Sequence, residues 1–292
     1  MSPDRSLRSF GQVFDNCATA YDEVRRSYPD VLVDAAIERG GLVPGSRVLE
    51  VGCGTGKLTE LLAAHGLVVD AVDPGPNMVE VARKRVGDTD LVRFHIGRFE
   101  ELPLDDGAFD AVFSATAFHW IEPDIGWRKV ARHLKPGALL ALLTHIGIRD
   151  TGRDEAEEAF HAVLEQHAPE AAAGLHLSRE LATVVAGVEE RRDNVSEAWD
   201  WVMADGRHDL AVKEAAELFE DVELATVVIN AEHTADEAQA LFKTTSLYFQ
   251  IPPDRREAFE ADDRRVIERF GGTVKFSLAT VLVTARSRRA RS

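Results

Sequence analysis

The chain has 292 residues, 45% of them hydrophobic, with 50 acidic against 34 basic side chains and a formal charge of −16. That length suits one large α/β domain, or one domain with a sizeable insertion, and the acidic balance argues against a basic face that grips nucleic acid. Cys17 and Cys53 make no disulfide framework, the longest apolar run (Ala138 to Leu143) is too short to cross a bilayer, and the first residues lack a signal-peptide pattern, so a cytoplasmic protein without a membrane partner is expected.

Residues 1–40 predict a helical cap segment. Phe10, Val13, Phe14 and Ala18 recur at helical spacing, and Tyr28-Pro29 breaks the pattern before a second helix, Asp30 to Arg39. Gly40-Gly41 stops that helix, and Pro44-Gly45 turns the chain into a first strand, Val48 to Val51. A helix from Lys57 to Ala64 follows a turn with three glycines. Strand and helix then alternate: strand Val68 to Asp73, helix Asn77 to Val86, strands Leu91 to Ile96 and Phe109 to Ser114, helix Ile125 to Leu134. Ala138 to Thr144 is a fifth strand, apolar as a central parallel strand is. From Asp154 to Glu217 only helical patterns occur, at Glu155–Gln166, Ser178–Ala186, Asn194–Ala204 and Asp209–Phe219. A strand at Val222 to Ile229, helices at Thr234–Ser246 and Pro253–Phe270, and a last strand at Thr273 to Arg286 complete the chain. This rhythm predicts a Rossmann-like, doubly wound sheet of seven strands, mostly parallel with an antiparallel last strand. Residues 41–149 and 216–286 form that domain, and 150–215 are a helical insertion.

The turn after the first strand is Gly52-Cys53-Gly54-Thr55-Gly56, preceded by Glu50. Glycine lets a ligand lie against bare backbone, and a helix start supplies N–H donors. Asp73 ends the second strand about 20 residues further on, where a doubly wound sheet places a carboxylate in reach of a ribose diol. The pair points to a nucleoside-containing cofactor. A dinucleotide fingerprint has its third glycine three residues after the second, but position 57 is lysine, which disfavours a nicotinamide-dependent oxidoreductase. The ten histidines are scattered without zinc spacing, so no metal site is expected, and no G-x-S-x-G elbow occurs.

The glycine spacing with its preceding acid resembles the first motif of class I S-adenosylmethionine-dependent methyltransferases. Ala71-Val72-Asp73-Pro74-Gly75-Pro76-Asn77-Met78 resembles the second motif, and Glu100-Glu101-Leu102-Pro103-Leu104 with Phe109-Asp110-Ala111-Val112 the third and fourth. Lys135-Pro136-Gly137-Ala138, the pattern from Phe14 to Pro29, and Arg255 to Arg286 resemble the same enzymes. What this implies can be placed on the chain. The Gly52, Gly54 and Gly56 loop with Glu50 would hold the methionine end of S-adenosylmethionine, Asp73 the ribose, and Met78 the adenine, with Arg98 and Phe99 at the adenine edge. Ala115 and Thr116 would face the methyl group. Tyr21 and Arg25 would close over the cofactor. Two positions depart from the family: an acid often stands where Arg98 is, and a proline where Arg26 is.

Methyl transfer needs a base only when the nucleophile carries a proton at neutral pH. His119, in Ala117-Phe118-His119-Trp120-Ile121 after the fourth strand, is the candidate. Its His-Trp pair resembles small-molecule methyltransferases of the trans-aconitate type, which esterify a carboxylate. The resemblance therefore implies a small-molecule acceptor, a carboxylate or hydroxyl oxygen, beneath the 150–215 insertion as a lid. Trp199, Trp201 and Met203 are candidates for a hydrophobic wall there. A monomer or homodimer is expected. A non-catalytic S-adenosylmethionine-binding protein is the competing reading.

Overall fold

The computed structural model describes residues 10–149, 154–173, 175, 178–203 and 211–288. Its centre is one seven-stranded sheet of spatial order β3-β2-β1-β4-β5-β7-β6. The strands are β1 (Arg47–Val51), β2 (Val68–Asp73), β3 (Val92–Ile96), β4 (Phe109–Ala115), β5 (Leu134–Gly147), β6 (Phe219–Thr234) and β7 (Thr273–Ser287). β1 to β5 pair in parallel, whereas β7 runs antiparallel to both β5 and β6, the expected reversal.

The central strands are apolar on both faces because helices cover both. Leu49, Val51, Leu140 and Leu142 enter one hydrophobic core and Val48, Ala141 and Leu143 the other, the period-two alternation of a strand. Helices α1 (Ala18–Val24), α2 (Asp30–Gly40), α3 (Lys57–Ala64), α4 (Pro76–Val86) and α5 (Pro123–His133) alternate with these strands or precede them. Strand order reverses between β1 and β4, so the crevice that opens there lies at the strands' carboxyl ends.

Between β5 and β6 the described elements are helices: α6 (Asp154–His167), α7 (Pro169–Ala173), α8 (Leu181–Glu189) and α9 (Val195–Met203). The expected helix at 209–219 shrinks to α10 (Ala215–Leu218), and residues 204–210 lie outside the described residues. Val212 is drawn into the core instead, its N–H held by Ser196 Oγ at 2.8 Å, and Phe219 already belongs to β6. β6 is twice the expected length. Its continuation through Asn230, Glu232 and Thr234 is a half-exposed edge paired with β7, where polar alternation hides the strand. The expected helix from Thr234 to Ser246 divides into α11 (Ala235–Phe242) and α12 (Ser246–Gln250), because Thr245 caps the second by accepting from Tyr248 N at 3.2 Å. Helix α13 (Arg256–Arg269) then packs against α6.

Trp199 is fully buried in the core, and Trp201 lies against Gly187 of α8. The Trp201 indole donates to Val184 O at 3.2 Å and sits between the Arg179 and Arg191 guanidinium groups, 4.9 and 4.4 Å from its centre. A Cβ on Gly187 would come within 2.0 Å of the Trp201 ring. Gly187→Ala gains about 1 kcal/mol of helix propensity but must displace a ring held on three sides, which costs about 1–3 kcal/mol. A lowered melting temperature is therefore expected; a raised one would show that the ring repacks freely.

Candidate functional site

Glu50 points inward from β1 with 1% of its surface exposed and accepts a 2.6 Å hydrogen bond from Thr59 Oγ1 on α3. Burial, with the neighbouring Asp73 charge, pushes its carboxyl up to about 8 against the opposing effect of Thr59. Beyond β1 the loop folds back on β2: Gly52 N and Cys53 N both donate to Val72 O, at 2.8 and 2.9 Å. Gly52 has φ of 74°, and a Cβ there would lie 2.2 Å from the Ala117 methyl, so the position demands glycine. Gly54 has φ of 53° with open space where a Cβ would stand.

Asp73 ends β2 and joins two loops. One carboxylate oxygen accepts from Gly54 N at 2.9 Å, the other from Gly75 N at 2.8 Å. Burial still dominates these two bonds and raises its carboxyl to about 6.

Above this floor lies a cavity of about 350 Å³, in the size range of small-molecule sites. Glu50, Gly52, Gly54 and Asp73 line one part of it. Met78, Arg98, Phe99 and Ala115 also line it, and so do Tyr21, Arg25 and His119. Gly56, at the start of α3, stands back from the lining, and so do two of the three residues expected as a hydrophobic wall, Trp199 in the core and Trp201 against Gly187. Arg98 is turned towards acids, 3.2 Å from Glu100 and 3.8 Å from Glu101. Glu100, itself on the lining, also accepts from Glu122 N at 3.2 Å, so an acid stands beside the cavity two residues beyond Arg98.

The segment before α2 closes one side. Asp15 accepts from Asn77 N and Met78 N, at 2.7 and 3.0 Å, capping the start of α4. Both Asp22 carboxylate oxygens accept from Arg85 Nη2, at 2.7 and 2.8 Å, with Lys57 Nζ 3.2 Å away. Arg25 donates to Thr244 Oγ1 and O, at 2.9 and 2.8 Å, with its guanidinium 5.3 Å over the Tyr21 ring.

His119 sits in the short 3-10 turn Phe118–Trp120 after β4, 6% exposed, with its ring 4.8 Å from that of Trp120. Three parts of the lining were not anticipated. His145 near the end of β5 bonds Thr280 Oγ1 through Nδ1 at 2.9 Å and stacks on Tyr28, rings 5.0 Å apart and 4° from parallel. Burial and the Arg25 and Arg26 charges lower its pKa to about 4, so the ring is neutral at physiological pH. Tyr28 Oη lies 3.0 Å from Thr116 Oγ1, and burial holds that hydroxyl protonated. Thr245, Ser246 and Leu247 form part of the roof, whereas Met203 alone among the insertion's described residues lines the cavity. A histidine closing an apolar run at the same sheet edge as His119 was the available signal for His145.

The donor set suits a cationic, diol-bearing ligand: two buried acids, backbone N–H groups and a bare glycine turn on one cavity wall. Among the described residues no His, Cys, Asp and Glu group is placed to hold a metal, and no helix is long and apolar enough to cross a membrane. Sheet order, the reversed β7 and the glycine turn facing Asp73 define the class I S-adenosylmethionine-dependent methyltransferase fold. Residues 49–142 match the family model described as a methyltransferase domain. Over residues 49–142 the chain is thus similar to methyltransferase domains, and S-adenosylmethionine is the cofactor that this similarity and the fold support.

An uncharacterised methyltransferase of Mycobacterium tuberculosis is 41% identical over 140 residues, 47% of this chain and 54% of the relative. A demethylmenaquinone methyltransferase of Clavibacter sepedonicus is 36% identical over 140 residues, 45% of this chain and 57% of the relative. The chain thus spans little more than half the length of these relatives. Among solved structures, a methyltransferase from Thiobacillus denitrificans in complex with S-adenosylhomocysteine shares the fold, with a TM-score of 0.50, 14% identity, and coverage of 91% of this chain and 94% of that one.

The two buried acids give testable behaviour. Both carboxyls are raised above their ordinary values, so each favours the folded state when protonated. Through Glu50 the ligand-free protein gains stability as pH falls from about 8 towards 4.5, and through Asp73 as it falls from about 6 towards 3.8. Glu50→Gln is expected to flatten the fall in melting temperature between about pH 5 and pH 8. Identical slopes in the two proteins would refute this. Asp73→Ala leaves two loop N–H groups without their acceptor and is expected to weaken S-adenosylhomocysteine binding by about 1–3 kcal/mol, read by calorimetry.

Proposed function

We propose that the chain moves a methyl group from S-adenosylmethionine to an oxygen of a small-molecule acceptor, with His119 on the acceptor side. The observation that carries this reading is that the Asp73-braced glycine turn and the His119 turn open onto one cavity. Bound S-adenosylmethionine supplies a methyl group already activated on a sulfonium. The protein's share is mainly positioning, worth up to about 7–11 kcal/mol in favourable intramolecular models.

Each wall then has a task. Asp73 accepts from the ribose hydroxyls while bracing the loop; Met78 and Phe99 pack against the adenine, and Glu100 offers a carboxylate where Arg98 cannot accept. Ala115 and Thr116 lie beside the transferring group. The tied segment carrying Tyr21 and Arg25 excludes water. His119 takes a proton from a hydroxyl acceptor or orients an oxygen that has none. The acidic surface and the cavity's size favour a dissolved small molecule over nucleic acid as the partner, in keeping with the small-molecule acceptor implied by the name of the Clavibacter relative. A cytoplasmic location accords with the absence of spanning helices among the described residues.

Labelled-methyl transfer across carboxylic acids, phenols and amines tests the reading. His119→Ala is expected to lower transfer at least tenfold, the lower part of the roughly 10²–10⁴ range of general acid–base catalysis being reached with hydroxyl acceptors. S-adenosylhomocysteine affinity should stay within about twofold. An equal loss in both measurements would place His119 on the cofactor side.

A further inference from the structure

The cavity is electrically divided. Its acids, Asp15, Glu50, Asp73 and Glu100, come from the glycine-turn and adenine-side elements and the strap above α4. The lining supplied by residues 115–121, 144–145, 203 and 245–247 includes no acid, and the strap adds Arg25 and Arg26 beside it. The two arginines differ in what they do. Arg25 is spent on Thr244. Arg26 is exposed, lines the cavity, and makes no ion pair among the described residues.

The backbone that carries Arg26 is fixed close by. Two residues on, Tyr28 is stacked on His145 and bonded to Thr116, and His145 is anchored on Thr280 of β7. The stack is uncharged, because Tyr28 stays protonated and His145 stays neutral. It therefore holds the strap without neutralising the guanidinium. A guanidinium at the mouth of a cavity, over walls that carry no competing acid, favours an oxyanion through paired N–H donors.

We propose that Arg26 is an acceptor-binding residue that selects small molecules carrying an oxyanion, a carboxylate or a phosphate, and that His145 is the positioning residue that sets it through Tyr28. This rests on the methyl-transfer reading above, and the experiment separates the two. The full chain is first titrated with S-adenosylhomocysteine, then, loaded with it, with three sets of probes: succinate, citrate and benzoate; glycerol phosphate and phenyl phosphate; and the uncharged succinamide, benzamide, glycerol and phenol. The expected result is that an anion binds at least tenfold more tightly than its neutral counterpart, and which anionic set binds identifies the group. Arg26→Ala should abolish that preference and Arg26→Lys restore part of it, both with S-adenosylhomocysteine affinity unchanged. His145→Ala should reduce the anion-to-neutral ratio at least threefold, a quantity that a general loss of folding does not move selectively. Failure of S-adenosylhomocysteine to bind would overturn the methyl-transfer reading. Normal binding of it with no anion bound, with neutral probes bound equally well, or with an Arg26→Ala preference unchanged would overturn the present proposal alone.

Discussion

The site depends on one carboxylate. Asp73 links the backbone of the β1–α3 turn to that of the β2–α4 turn through two hydrogen bonds. The first of these turns stands at the reversal in strand order between β1 and β4, where the sheet leaves its crevice. Without the link, two glycine-containing loops, the first with left-handed glycines at Gly52, Gly54 and Gly56, would have many conformations to choose from. The carboxylate thus trades part of its solvation for loop order, and its raised pKa records that cost.

Glu50 repeats the theme more deeply. It is nearly sealed from solvent, and one of its oxygens accepts from Thr59. Two acids this close, on a wall whose cations are engaged elsewhere, make a region that welcomes positive charge. The cations nearby are already spoken for: Lys57 and Arg85 hold Asp22, and Arg98 faces Glu100 and Glu101. The strap is therefore tied down with charges kept apart from the two acids beneath it.

Much of this was legible because parallel α/β architecture writes itself into periodicity. Val48 to Val51 and Ala138 to Thr144 can only be strands covered on both sides, and the spacing from Gly52 to Asp73 fixes which turn faces which strand end. What escaped lies where local pattern and tertiary demand diverge. Ala215 and its neighbours have helical composition, yet Val212 and Phe219 are claimed by the core on either side. The far half of β6 is polar because it is an edge, and polarity masks a strand in a linear reading. His145 and Tyr28 are 117 positions apart, and their stacking follows from where β5 ends and where the strap crosses it, which no short window contains.

The sheet order also has a consequence for how the molecule assembles. β7 lies between β5 and β6, pairing with Leu139 to Gly147 on one side and with Phe219 to Thr234 on the other. Until residues 273–287 are in place, β5 has an open edge lined by Leu139, Leu140, Leu142 and Leu143, and β6 has no neighbour to pair with. Sheet closure is thus a single late event spanning the whole helical insertion. It is a high-contact-order step that leaves the most apolar strand as the last to be shielded, which makes a shortened or stalled chain prone to aggregate through β5.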